Sequence, residues 1–165
     1  MSVVKGEDLM PTSKALELAK RELKRADHSI AVSLKYTRTV DVIKSIIERL
    51  INTIGYSFDT LLNKAKTEKK ITEVPELPRL KIEYIKKVYC GDEVIENFIR
   101  FYNMLRKISK ASFEREQEYR RHVTMKAHLD DGSTIEITID IITDYYNRVK
   151  ELLGYAEQIV TGEVE

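Results

Sequence analysis

Apolar residues recur every three or four positions along most of this chain, and every second position over one short stretch. Ala15, Leu16, Ala19, Leu23, Ala26, Ile30 and Ala31 form a helical stripe, with Lys14, Glu17, Arg21, Lys24 and Arg25 on the opposite face. Ser13, behind Pro11 and Thr12, is the expected N-cap. Tyr36-Thr37-Arg38-Thr39 predicts a turn, with Thr39 capping a second helix. That helix has the longest stripe, from Ile43, Ile46 and Ile47 through Leu50, Ile54 and Phe58 to Leu61, Leu62 and Ala65. Gly55 costs about 1 kcal/mol inside a helix, so its presence predicts a close helix–helix approach. The charged run from Lys64 to Lys70 predicts fraying, and Pro75 and Pro78 predict an extended loop.

A shorter helix is expected from Leu80 to Tyr89, ended by Cys90-Gly91. Asp92 then caps a helix with the stripe Val94, Ile95, Phe98, Tyr102, Leu105 and Ile108, running to Ser112. From His122 the period falls to two. Val123, Met125, Ala127 and Leu129 alternate with polar residues, as do Ile135, Ile137 and Ile139, which predicts a β-hairpin from His122 to Ile139. A two-residue turn at Asp131-Gly132 would set Ala127 opposite Glu136. A three-residue loop, Asp130-Asp131-Gly132, sets Ala127 opposite Ile135 and Met125 opposite Ile137, with Gly132 left-handed before a bulge. The second register keeps one apolar face and is the one expected. Asp140 is the expected cap of a last helix lined by Ile142, Tyr145, Tyr146, Val149, Leu152, Leu153, Ala156 and Val160. The expected fold is mainly α: an antiparallel bundle of four to five helices with one β-hairpin before the last helix. It occupies residues 12–160, between a flexible N-terminus, 1–11, and a flexible tail, 161–165.

Composition narrows the function classes. The chain of 165 residues is 42% hydrophobic and 33% charged, a globular balance. Its net charge is +1, which excludes a global basic field but not a local patch. The lone Cys90 cannot form an internal disulfide, which with the polar start predicts a cytoplasmic protein. Cys90 itself is expected to be a buried, inert thiol. No apolar run approaches the roughly 20 residues a membrane span needs, so no membrane partner is expected. Abundant Lys, Glu, Ile and Tyr without Trp fit a thermophile.

Two stretches, Ala26-Asp27-His28-Ser29-Ile30 and Glu118-Tyr119-Arg120-Arg121-His122-Val123, join the helical pattern over residues 12–160 in a family likeness. The chain resembles the HEPN family of helical bundles. The resemblance implies one of two activities: a metal-independent ribonuclease using an Arg and a His with four to six residues between them, or a non-catalytic binding or accessory module. It also implies dimers. Arg115 and His122 satisfy the longest spacing and are the candidate catalytic pair, to stabilise a phosphorane and activate a 2′-hydroxyl. Glu116 stands where the family has Asn, Asp or His, and the expected hairpin comes after the motif where the family has its last helix. On one helix the pair would lie about 10 Å apart along the axis, so a loop or a second subunit must unite them.

Charge supplies a broader signal. Residues 106–128 hold seven basic side chains against three acidic ones, +4 locally, which leaves −3 for the rest. Arg106, Lys107, Lys110, Arg120, Arg121 and Lys126 are the expected nucleic-acid contacts, with Phe113 and Tyr119 available for stacking. The plainer alternative is a solvated helix end whose acids and bases pair with one another. His122 and His128 should share one strand face with Lys126, yet lie about 20 Å apart at roughly 3.3 Å per residue. No metal site and no cofactor are expected, since no Cys pair or Gly-rich phosphate loop is present. The expectation is a binding or accessory domain for RNA. The alternatives are a ribonuclease using Arg115 and His122, and a purely structural protein-interaction module. Val42, Leu50 and Ile51 widen the stripe of the second helix beyond one face, which with the resemblance predicts a homodimer.

Overall fold

The computed structural model describes residues 12–162, with side chains from Lys14 onward. The expected N-terminal segment 1–11 and tail residues 163–165 lie outside the described residues. The first helix, α1, spans Thr12–His28, so Ser13 falls inside its first turn and not at its cap. A π-helical turn, Ser29–Ser33, continues it into a last short stretch, Leu34–Tyr36. Each residue inserted by a π-turn rotates the remainder of the helix by about 100°. Ala31, expected in the stripe, is therefore exposed, and Leu34 takes the buried position.

The second helix, α2 (Val40–Thr67), is the centre of the molecule. Thr39 caps it, its hydroxyl accepting from Val42 N at 3.4 Å. α1 packs along one side of α2. The remaining helices are α3 (Pro78–Val88), α4 (Glu93–Lys110) and α5 (Ile139–Thr161), and each also packs on α2. Every stripe residue of α2 is buried. Val42 and Ile51 pack against the same core, so its wide apolar flank is covered within the chain. Gly55 does not mark a close backbone approach. A Cβ there would meet only the Tyr102 hydroxyl, at an ordinary 4.0 Å. Pro78 opens α3 at its first turn, where a missing N–H is harmless. Asp92 caps α4 by accepting from Ile95 N at 3.1 Å.

Three strands separate α4 from α5: β1 (Ser112–Glu116), β2 (Thr124–His128) and β3 (Thr134–Ile137). They form one antiparallel sheet in the order β1-β2-β3. The hairpin register is the expected one, Ala127 opposite Ile135 and Met125 opposite Ile137. Gly132 has φ +91° and donates to Leu129 O at 3.0 Å, closing the three-residue loop. The sheet differs from expectation in three ways. α4 stops at Lys110, short of the expected Ser112, and Ser112–Glu116, where no strand was expected, form β1. β2 begins at Thr124, so His122 belongs to a loop and shares no strand face with Lys126. The cap of α5 is Thr138, whose hydroxyl accepts from Ile141 N at 3.2 Å; Asp140 sits in the first turn. Cys90 is exposed at the end of α3, not buried. Thr161 closes α5 and the left-handed Gly162 caps it, so the helix runs into the expected tail.

Candidate nucleic-acid interface

The basic segment does not form one surface. Fold boundaries divide it into three groups, each with its own electrostatic setting.

The first group is Arg115 with its surroundings. Arg115 lies on β1 opposite Met125, which turns it toward the start of α2. Its guanidinium pairs with Asp41 Oδ1 at 2.9 Å and Glu118 Oε2 at 3.3 Å, and it also lies over the Phe113 ring. These partners, Asp41 first, hold the guanidinium even further above its ordinary range. Glu118 Oε2 also accepts from Val40 N at 2.9 Å, the first amide of α2. A carboxylate there satisfies an orphan N–H and meets the positive end of the helix dipole. Tyr119 N donates to Arg38 O at 2.6 Å, completing the clasp between the β1–β2 loop and the α1–α2 turn.

The second group is the loop beyond that clasp. Gln117 and Tyr119 adopt positive φ, +58° and +66°, a strained conformation that the clasp enforces. Tyr119 is 77% exposed. Arg120, Arg121 and His122 are exposed as well, and none of the three pairs with a carboxylate among the described residues. The structure therefore places Arg115 and His122 in different settings: one engaged by two carboxylates, the other open to solvent. Lys126 sits on the outer face of the sheet, 3.9 Å from Glu116. His128, on the same face, contacts Glu114 at 2.5 Å and Thr134 at 3.2 Å.

The third group is on α4. Arg100, Asn103, Lys107 and Lys110 have the spacing i, i+3, i+7, i+10, which sets them along one helix face. Three adjoining concavities meet at Asn103. One, of about 530 Å³, runs from α4 to the β2–β3 turn. Arg100, Lys107 and Lys110 supply its cations, Met104, Ala111 and Leu129 its apolar surface, and Asp130 and Asp131 its far side. A second, of about 460 Å³, lies between α3 and α4, where Arg79, Lys86 and Arg106 surround Asn103, with Glu83 the one acid. The smallest links the two through Arg106, Lys107 and Lys110. None of these six cations forms an ion pair among the described residues. The Arg106 guanidinium carbon lies 5.6 Å from the Tyr102 ring centroid, a cation–π contact. Arg100 donates to Asn97, a neutral partner.

Of the expected contacts, Arg106, Lys107 and Lys110 are thus brought together. Arg120 and Arg121 lie elsewhere, and Lys126 is partly neutralised. Arg79, Lys86, Arg100 and Asn103 join the site without having been expected. The periodicity of α4 signalled Arg100 and Asn103; the α3 residues join only through tertiary packing. No group of His, Cys, Asp and Glu among the described residues could hold a metal ion. No helix among them is long and apolar enough to cross a membrane. No family model, curated protein or solved structure matches this chain.

Proposed function

We infer that this protein is a small helical binding or accessory module whose α3–α4 groove holds RNA by its phosphates. The observation that carries the reading is the set of six cations gathered along these concavities, none of them in a close ion pair among the described residues. Unpaired cations concentrated along a concave track repel one another, and a polyanion releases that repulsion together with its own counterions. RNA, not another polyanion, is chosen because of the likeness to the HEPN bundles. Arg115, the cation of the ribonuclease alternative, is already engaged by Asp41 and Glu118, so binding is the better-supported reading.

A homodimer in a cytoplasmic setting accompanies this reading. Its support is the family likeness, since the apolar flank of α2 is covered by the chain's own elements; sedimentation equilibrium gives the stoichiometry directly. A thermophilic origin is the remaining proposal. Its support is the composition, together with ion pairs that join separate elements, such as Lys20–Glu157 and Lys81–Asp59.

The deciding experiment is an RNA titration by fluorescence anisotropy at about 50 and 200 mM salt. Binding should weaken steeply with salt. Lys107→Gln with Lys110→Gln should lower both the affinity and the salt slope. Absence of binding at the lower salt would remove the RNA reading.

A further inference from the structure

The concavity between α4 and the β2–β3 turn is not the track that phosphates alone would select. Its near side carries Arg100, Lys107 and Lys110, but its far side carries Asp130 and Asp131. A phosphate lying between them would face two carboxylates. A nucleotide resolves the conflict because it has two chemically different ends. Its phosphate meets the lysines, while the N–H groups on a base edge are donors that a carboxylate accepts.

Resting on the groove reading above, we propose that this corner is a pocket for one unstacked base, so that the chain takes single-stranded and not duplex RNA. The volume, about 530 Å³, is that of a small-molecule site. Met104, Ala111 and Leu129 give a base apolar surface to lie on. Asn103 stands where the three concavities meet, half-buried, and its side-chain amide makes no hydrogen bond with the described protein. An amide offers a donor and an acceptor together, the combination a base edge uses. Asp131 Oδ1 accepts from Ser133 N at 2.9 Å and Ser133 Oγ at 2.5 Å, which fixes its carboxylate on the far side of the concavity. Those Ser133 hydrogen bonds, with Lys107 adding to them, hold its carboxyl below the usual range, so it remains an acceptor. A duplex keeps its bases paired and stacked, so it cannot lay a base into this corner.

The test compares one labelled single strand of about twelve nucleotides with the same strand annealed to its complement. Polyglutamate serves as a competitor that has charge and no bases. The single strand should bind about tenfold more tightly than the duplex, and polyglutamate should compete poorly. Asn103→Leu keeps every charge. It should weaken single-strand binding about fivefold with the salt slope unchanged. Leu129→Ala should weaken it in the same way, and circular dichroism should show both variants folded. If duplex binds as well as single strand, or polyglutamate competes equally, or both variants bind like the unaltered protein, the base pocket is wrong while the basic groove stands. If neither RNA binds, the groove reading falls and the pocket with it.

Discussion

Asp92 serves two elements at once. Its Oδ1 caps α4, and its Oδ2 accepts the Tyr155 hydroxyl at 2.6 Å, tying the start of α4 to the end of α5. The capping role is legible in the sequence because a cap acts within three residues. The Tyr155 contact is not, since 63 positions separate the partners. Asp92→Ala should cost about 2–3 kcal/mol, a lost cap plus a lost charge-assisted hydrogen bond, and Tyr155→Phe about 1 kcal/mol. Urea unfolding measures both. The same contact, then burial, pushes the Tyr155 phenol up to about 12. Burial, helped by Glu68 and Asp92, also pushes Tyr89 up to about 12, and its hydroxyl donates to Leu61 O at 3.3 Å. Both folded values lie above the ordinary 10.0, so the protonated phenols stabilise the fold. Their contribution is complete below pH 10 and is lost as pH rises toward 12. The melting temperature should therefore fall across that window, and the fall should be shallower in a Tyr89→Phe, Tyr155→Phe variant.

At the scale of elements, periodicity revealed what repeats and missed what does not. The four helical stripes and the hairpin register rest on several apolar residues each, and the structure agrees with them except at Ala31 and Val94, which are exposed. β1 offers only Phe113 as an apolar side chain within Ser112–Glu116. A strand so charged has no alternation to read; its place is set by pairing with β2, in which Met125 and Ala127 are buried. The groove was half legible for the same reason. The α4 stripe of Arg100, Asn103, Lys107 and Lys110 is periodic, whereas the approach of α3 is tertiary. The hairpin loop gives a direct check. Gly132→Ala forces a side chain into φ +91° and should cost about 1 kcal/mol. The β1–β2 clasp gives another. Glu118→Ala leaves Val40 N without its carboxylate and removes one of the two acids on Arg115. It should lower stability by about 1–2 kcal/mol in urea unfolding. His122→Ala, outside that clasp, should leave stability unchanged.

Across the whole molecule, the +1 charge is too small for long-range steering, so binding must be local. Two exposed cationic patches bear on this reading: the α3–α4 groove, and Arg120 with Arg121 on the β1–β2 loop. β1 separates them, and its five residues span about 17 Å at roughly 3.4 Å each. Between them the outer face of the sheet carries Glu114, Glu116 and Glu136, with Lys126 and His128 drawn to the first two of these acids. A short strand seated in the groove has no favourable path across that face; a longer one can arch over it. The two patches should therefore respond differently to RNA length. Arg120→Gln with Arg121→Gln should leave the affinity and salt slope of a strand of about four nucleotides unaltered. For a strand of about fifteen it should reduce the slope by roughly 1.4, the loss of two phosphate contacts at about 0.7 each. Lys107→Gln with Lys110→Gln should reduce the slope at both lengths. Equal loss from the loop variant on the short strand would show that the loop, not the groove, is where RNA first seats. The base pocket on α4 would then be the wrong place to look.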